Sequence, residues 1–272
     1  EDSIKKTKEL NELKLNFFTN VSHELRTPLT LIISPLVNMI REERDESKRR
    51  KLEMIHRNAT RLLNLVNQIL DFRKIDQNKE KLTLSRIDIV SYVDNICTSF
   101  RTLANSKVTL AFDSTVPSLQ MSFDADKVGK IVNNLLSNAY KFTPDGGFIT
   151  VSLSVALRQR VGDKDSDMLR ISVSDTGKGI SDKEKEHVFE RFYQVNGTEM
   201  QPQGGSGIGL NLVKKFAELH GGKVDVTDNP SGGTIFMVDL PIESSTTSTS
   251  TAHLCSLRAA TSITTVPQAT EE

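Results

Sequence analysis

His23 and Glu24 place an imidazole beside a carboxylate, inside a stretch whose apolar residues recur every three or four positions. A polar, titratable pair in such a helical pattern is expected on the water-facing side of the helix. An exposed imidazole with a neighbouring base suits a nucleophile better than a core residue. About 150 residues downstream, the chain carries a glycine-bounded pattern of the kind found at nucleotide sites. A nucleophile and a nucleotide site in one chain suggest phosphoryl transfer between them.

Asn134, Asn138 and Lys141 are spaced by four and three residues, so a helix would carry all three on one face. Two neutral amides and one cation on a single face suit a hydrated magnesium ion and phosphate groups. Taken alone, an amphipathic surface helix with polar asparagines by chance explains this spacing equally well.

Asp175 directly follows an apolar, strand-like run and is succeeded by Gly177 and Gly179. An acid at a strand end gives a hydrogen-bond acceptor at the rim of a pocket, and the glycines let the backbone pass close to a ligand. Because Asp-x-Gly is also an ordinary turn sequence, this pattern is weak by itself.

A second group of glycines, Gly205, Gly207 and Gly209, stands at the start of a helix predicted to end near Leu219. The free amides and the positive dipole end of such a helix favour phosphate. The glycines do not follow a strand, which argues against a Rossmann dinucleotide site. An aromatic pair in the run 189–192 comes just before the intervening loop and is expected to anchor it.

The order of these segments resembles the ATP-binding domain shared by histidine kinases, DNA gyrase, the Hsp90 chaperones and the MutL repair proteins. With the run from Ser22 to Thr30 upstream, residues 7–242 resemble the catalytic core of a sensor histidine kinase. The resemblance implies a protein histidine kinase that uses ATP and Mg²⁺. Residues 16–21 are similar to the corresponding run in hybrid sensors, which carry their own receiver domain after the kinase.

For the hairpin, the resemblance implies that His23 accepts the γ-phosphoryl group and that Glu24 orients the ring and takes its proton. The phosphoryl group would then pass to an aspartate in the receiver domain of a response regulator, in cis or in trans. Glu24 and Thr27 match the E-x-x-T pattern linked in this family to dephosphorylation of that partner, with Thr27 positioning a water molecule.

For the nucleotide site, the resemblance implies that Asn138 holds the magnesium ion with help from Asn134, and that Lys141 contacts the phosphates. Asp175 would accept a hydrogen bond from the adenine amino group. The glycines would act in two sets, one clearing the base and one hinging a lid over 195–207: Gly177 and Gly179 in the first, and Gly205, Gly207 and Gly209 in the second.

Residues 7–76 predict two long helices with heptad-like apolar spacing, joined by a charged turn at 41–50. A two-helix hairpin has too little core to stand alone, so we expect a second copy to complete a dimeric four-helix bundle. Pro28 removes one backbone donor and is expected to bend the first helix just after His23.

After Lys81, strands and helices are mixed without strict alternation, which favours an α+β class. The resemblance specifies an α/β sandwich of the Bergerat type. The apolar patterns predict a short strand at Leu82 to Leu84, and two strands over 148–157 and 168–173 with a polar connection between them.

Three domains are therefore expected. Residues 1–77 would form a dimerisation and histidine phosphotransfer domain, and residues 78–243 the ATP-binding domain. Residues 244–272 are rich in serine and threonine and lack an apolar pattern, which predicts a disordered tail or linker.

The composition excludes several function classes. Its 35 basic and 35 acidic residues balance, so no nucleic-acid contact is expected. The two cysteines, Cys97 and Cys255, form no metal or disulfide pattern, and the histidines lack ligand spacing. No apolar run approaches a membrane span. We expect a fragment that forms the cytoplasmic portion of an inner-membrane sensor, anchored only through the parent protein.

Two other functions are compatible with parts of this pattern. A conformational ATPase of the gyrase, Hsp90 or MutL type would share the nucleotide site but needs no acceptor histidine. A degenerate scaffold would only dimerise. The heptad hairpin that carries His23 favours the kinase over the first, and the complete set of motif residues favours it over the second.

Overall fold

A computed structural model describes residues 21, 24–76, 81–103, 107–161, 164–194 and 206–242. The N-terminal part is a helical hairpin. Helix α1 is described over residues 24–42 and runs through Pro28 as continuous helix, and helix α2 spans Glu46–Asp76. The turn predicted over 41–50 is therefore too long. Helix α2 begins early because the Asp45 carboxylate accepts hydrogen bonds from the backbone amides of Ser47 (2.8 Å) and Lys48 (3.2 Å), as a helix cap does.

The two hairpin helices contact each other through a narrow apolar seam and one polar link. Arg26 Nη2 donates to Asn67 Oδ1 across the hairpin at 2.8 Å. Only four hydrophobic side chains of the described hairpin are buried, while twice as many large ones are exposed. The buried ones are Leu29, Leu36, Val66 and Leu70, and the exposed ones are Leu25, Leu31, Ile32, Val37, Met39, Met54, Ile55 and Leu62.

The remaining described residues form the catalytic module, in which helices pack on one face of a mixed sheet. The five-stranded sheet has the order β2-β4-β5-β7-β6, with β2 parallel to β4 and all other neighbours antiparallel. A separate antiparallel pair joins β1 to β3. The strands are β1 Ser85–Asp88, β2 Thr109–Ser114, β3 Gln120–Phe123, β4 Phe148–Val161, β5 Lys164–Asp175, β6 Lys223–Asp228 and β7 Thr234–Pro241.

Alternation along the strands fixes which face the helices cover. Ile149, Val151 and Leu153 of β4 are fully buried, whereas the residues between them are only partly covered. Ile131 and Phe216 from two of the helices share this core. The helices are α3 Ile89–Leu103, α4 Ala125–Phe142, α5 Asp182–Lys185 and α6 Gly209–Leu219. The expected helical hairpin followed by an α/β sandwich is confirmed.

Two aspartates cap the starts of helices in the module. Asp88 Oδ1 accepts from the amide of Val90 at 3.2 Å, and α3 begins at Ile89. Asp124 Oδ1 accepts from the amide of Lys127 at 3.2 Å, and α4 begins at Ala125. Because the first amides of a helix lack intrahelical partners, these carboxylates set where each helix begins.

Two strand predictions are wrong in their bounds. Strand β1 begins at Ser85, after the predicted strand at Leu82 to Leu84. Strands β4 and β5 also continue through most of the polar connection predicted at 158–167, after a register shift between Ala156 and Gln159. The backbone ladder satisfies its own polar groups and needs no apolar alternation, so the side-chain pattern did not reveal this extension.

Candidate functional site

Helix α4 presents the predicted polar face to solvent. Asn134, Asn138 and Lys141 are all partly exposed, whereas Leu135 and Leu136 between them are buried in the core. The four-and-three spacing thus predicted correctly both the helix and its outward-facing side.

Asn134 is held in one orientation against the start of α6. Its Nδ2 donates to the backbone oxygen of Lys130 at 2.7 Å, which turns Oδ1 away from the helix. A Cβ atom placed on Gly209 would lie 2.7 Å from that Oδ1. Gly209 is thus required for α6 to begin so close to α4, and the amide of Asn134 meets the helix end that suits phosphate.

Cations gather at the other end of the α4 face. Lys141 Nζ lies 4.7 Å and Lys178 Nζ 5.4 Å from the centre of the Phe142 ring. Burial lowers the pKa of Lys141, and the positive charges of Arg61 and Lys178 lower it further. Like charges held together are costly, so this group suits a polyanion that would neutralise them.

Asp175 ends β5 as a nearly buried carboxylate. Its Oδ1 accepts from the amide of Gly177 at 2.8 Å and from that of Thr234 at 3.4 Å. Burial raises the pKa of this carboxyl above its ordinary value. Gly179 follows as the next glycine of the predicted pair, with a φ of +73°. A buried acceptor fixed by backbone donors suits recognition of a base edge through its amino group.

Two residues that contact the backbone of Asp175 were not predicted from the sequence. Asn229 Nδ2 donates to the backbone oxygen of Asp175 at 2.7 Å. Gly233 has a φ of +92°, and a Cβ atom there would overlap that same oxygen. The run from Asn229 to Gly233 is readable as a turn, but nothing in the sequence links it to a carboxylate more than fifty residues upstream.

Residues just before the predicted lid contact residues at its C-terminal end and just after it. The amide of Phe192 donates to the backbone oxygen of Gly207 at 3.0 Å, and Asn211 Nδ2 donates to that of Phe189 at 2.9 Å. Phe192 has a φ of +59°, which is uncommon for a residue with a side chain. The rest of the lid, including Gly205, lies outside the described residues.

The hairpin supplies the remaining predicted residues. Glu24 and Thr27 are exposed on α1. His23 lies outside the described residues, so its role stays a prediction. Among the described residues, no group of three or more His, Cys, Asp or Glu side chains could hold a metal ion.

The chemistry of these groups is compatible with the expected adenine nucleotide, and their roles stay predictions. Asp175 would be the acceptor for the base, the amides at the start of α6 would suit phosphate, and Lys141 would supply a cation. Asn134 and Asn138 offer amide oxygens, which are hard ligands that Mg²⁺ accepts together with water and phosphate oxygens.

Comparison with known proteins assigns the family. The family described as "His Kinase A (phospho-acceptor) domain" matches residues 13–78. The family described as "Histidine kinase-, DNA gyrase B-, and HSP90-like ATPase" matches residues 123–244. The chain belongs to the sensor histidine kinases. It carries the two domains of their catalytic core, a phospho-acceptor domain and an ATP-binding module.

The similarity extends along most of the chain but not along most of its relatives. "Hybrid signal transduction histidine kinase D" of Dictyostelium discoideum is 42% identical over 240 residues, which cover 87% of this chain and 15% of that protein. "Sensor histidine kinase TmoS" of Ectopseudomonas mendocina is 39% identical over 244 residues, which cover 89% of this chain and 24% of that protein. The chain thus spans less than a quarter of either relative.

A solved structure shares the arrangement. Full-length ShkA in complex with AMPPNP is 25% identical with a TM-score of 0.65, over 85% of this chain and 46% of that one. As for membrane segments, none of the helices in the described ranges combines the length and apolarity needed to cross a bilayer.

Proposed function

We propose that this sensor histidine kinase core transfers the γ-phosphoryl group of ATP to His23 and then to an aspartate of a response regulator receiver domain. One observation carries the proposal. The polar face of α4, the buried carboxylate of Asp175 and the glycine start of α6 all belong to the module that matches the ATPase family, and the segment that matches the phospho-acceptor family includes His23.

The transfer balances with the groups that the chain provides. A neutral nitrogen of His23 forms a bond to the γ-phosphorus of ATP while the bond from that phosphorus to the β–γ bridging oxygen breaks, and ADP leaves. The proton on the other ring nitrogen passes to Glu24, which also fixes the tautomer that can attack. Thr27, exposed three residues further on α1, would position water for hydrolysis of the phosphorylated partner.

The catalytic module binds and orients the nucleotide. Asp175 accepts from the adenine amino group, while Lys141 and the amides at the start of α6 bind the phosphates. Asn138 would hold Mg²⁺, and Asn134 would assist. The metal ion supplies neutralisation of the charge that develops on the phosphate oxygens.

Two features support a homodimer within a longer protein. The hairpin exposes a row of large apolar side chains, Leu31 and Ile55 among them, that a second hairpin would cover. The relatives extend far beyond the matched segment and are sensor kinases, so a sensor portion and a membrane anchor would belong to the parent protein.

Labelling with γ-³²P-ATP and Mg²⁺ tests the acceptor. Wild type should gain an acid-labile, base-stable label, as phosphohistidine does. His23→Ala should gain none, whereas His56→Ala on α2 should label normally. Label on the His23 variant would contradict the proposal. ATP hydrolysis without any phosphohistidine would instead support a conformational ATPase.

A second substitution tests the metal site. Asn138→Ala should lower labelling by about 100-fold, because it removes a group that stabilises charge in the transition state. Asn133→Ala is the matched control, since Asn133 lies on the same helix but points its amide to the backbone oxygen of Gly129 at 2.7 Å. The dimer should persist in both variants. Loss of the dimer in the Asn138 variant would identify Asn138 as a structural residue.

A further inference from the structure

Helix α2 reaches the same α4 face that carries the predicted metal ligands. Asp71 of α2 forms an ion pair with Lys130 Nζ at 2.9 Å, and Gln68 Nε2 lies 3.4 Å from Asn134 Oδ1 as a donor. Ile69 between them packs against the core of the catalytic module. Lys130 and Asn134 are one helical turn apart, so the two contacts follow the polar stripe of α4.

The contacts run in opposite directions along the two helices. Asp71 contacts Lys130 and Gln68, earlier on α2, contacts Asn134, later on α4, while the positive charge of Arg61 lowers the pKa of Lys141. Helix α2 therefore contacts α4 at Lys130 and Asn134, which lie one helical turn apart. The hairpin thus covers part of the nucleotide site from outside the module.

Gln68 joins the two sides of that site with one amide group. Its Nε2 donates to Asn134, and its Oε1 accepts from Ser206 Oγ at 2.9 Å. Ser206 Oγ in turn accepts from the amide of Ile208 at 3.3 Å, just before α6 begins. The side chain of Gln68 therefore bridges a predicted metal ligand and the C-terminal end of the predicted lid.

We propose that Gln68 and Asp71 form a latch that holds α2 over the Asn134 end of the nucleotide site and competes with binding of the magnesium-nucleotide complex. The inference rests on the proposed function, because it takes Asn134 as part of the nucleotide site. The competition follows from shared groups. The amide oxygen of Asn134 accepts from Gln68, so the same oxygen cannot at that moment serve a metal ion.

The latch also holds the module on the hairpin of its own chain. If nucleotide weakens the latch, then the latch must weaken nucleotide binding by the same factor, since coupling between two binding equilibria is reciprocal. Release of the latch would free the module to bring bound ATP towards His23. The latch thus restrains the module on the hairpin and slows the approach of bound ATP to His23.

The affinity for the Mg²⁺ complex of a non-hydrolysable ATP analogue tests the latch by titration calorimetry. Asp71→Asn and Gln68→Ala should each lower the Kd about fivefold, the size expected for one partly exposed pair that couples two equilibria. The initial rate of His23 labelling should rise in parallel. Asp126→Asn is the matched control, because Asp126 also pairs with Lys130 at 2.9 Å but lies on α4 itself. Its Kd should stay at the wild-type value.

A charge exchange separates the latch from a general charge effect. Asp71→Lys should tighten nucleotide binding, and adding Lys130→Asp should restore the wild-type Kd by re-forming the pair. Circular dichroism should show all variants folded. Unchanged or weaker nucleotide binding in both Asp71→Asn and Gln68→Ala, with wild type binding normally, would overturn the latch alone. Failure of wild type to bind the analogue would overturn the proposed function as well.

Discussion

The hairpin and the catalytic module differ in how far they bury their apolar side chains. In the module, helices and sheet enclose a continuous core in which Phe216 and Leu135 are each 1% exposed. In the hairpin, Leu31 is 70% exposed and Ile55 is 50% exposed, and four hydrophobic side chains are buried among the residues described there. Burial of apolar area is the main stabilising contribution to folding. The module therefore carries its own stability, whereas the hairpin depends on another surface.

This difference in burial suits the two regions to different roles. A module with a closed core can hold Asp175 and Asn134 in fixed positions for a ligand. A hairpin with a free apolar face can pair with another copy and change its packing at low cost. Substitutions that separate these two properties test the comparison directly.

Phe216→Ala should have the largest effect on stability. Removing a fully buried aromatic ring should lower the free energy of unfolding of the module by about 3–5 kcal/mol, through lost burial and a new cavity. Urea unfolding followed by circular dichroism measures the change. Ile55→Ala in the hairpin should leave the unfolding transition of the module unaltered. A similar shift of that transition in both variants would mean that the two regions share one core.

Leu31→Glu should have the next largest effect, on association. A charge placed on the free apolar face should weaken the dimer by about 2 kcal/mol or more, roughly a thirtyfold rise in the dimer Kd. Sedimentation velocity measures it. Phe148→Glu is the control, because Phe148 is 59% exposed on the module instead of on the hairpin. A dimer that survives Leu31→Glu but dissociates in the control would place the interface on the module.

His220 gives the smallest effect, a pH dependence confined to the module. Its Nδ1 donates to the backbone oxygen of Phe216 at 2.7 Å and its Nε2 accepts from the amide of Asp124 at 3.2 Å, so only the neutral ring fits. Burial lowers its pKa below the ordinary value of 6.5. As pH falls through 6.5, His220 of the unfolded chain binds a proton, whereas His220 of the folded chain stays neutral. Stability should then fall by at most about 1.4 kcal/mol per pH unit.

Unfolding curves between pH 7.5 and 5 check this dependence, and His220→Gln should flatten it. His187 provides a control of opposite sign. The hydrogen bond with Glu190 raises its pKa, so its contribution is present below pH 6.5 and is lost as pH rises through the raised value. His187→Gln should therefore leave the acid-side loss in place. A loss that persists in His220→Gln would assign it to other groups.

The sequence predicted most of the local structure because local rules determine it. The spacing from Asn134 to Lys141, for example, predicted one polar helix face correctly. The extension of β4 and β5 beyond the predicted strands was missed because their ladder depends on backbone pairing, which leaves no mark on side-chain alternation. The early start of α2 was missed because the charged run around Asp45 is equally compatible with a turn and with a capped helix.

The sequence by itself determined which functional groups the chain carries. They are an imidazole beside a carboxylate, a polar helix face, and an acid with glycines after a strand. Residue type and spacing are enough for these, because helices and strands have fixed periods. Only the tertiary structure decided which distant groups meet. Asn229 and Gly233 support Asp175, Gly209 lets α6 approach Asn134, and Gln68 of the hairpin bridges Asn134 and Ser206. These contacts join segments far apart in the chain, and chain topology alone brings such segments together.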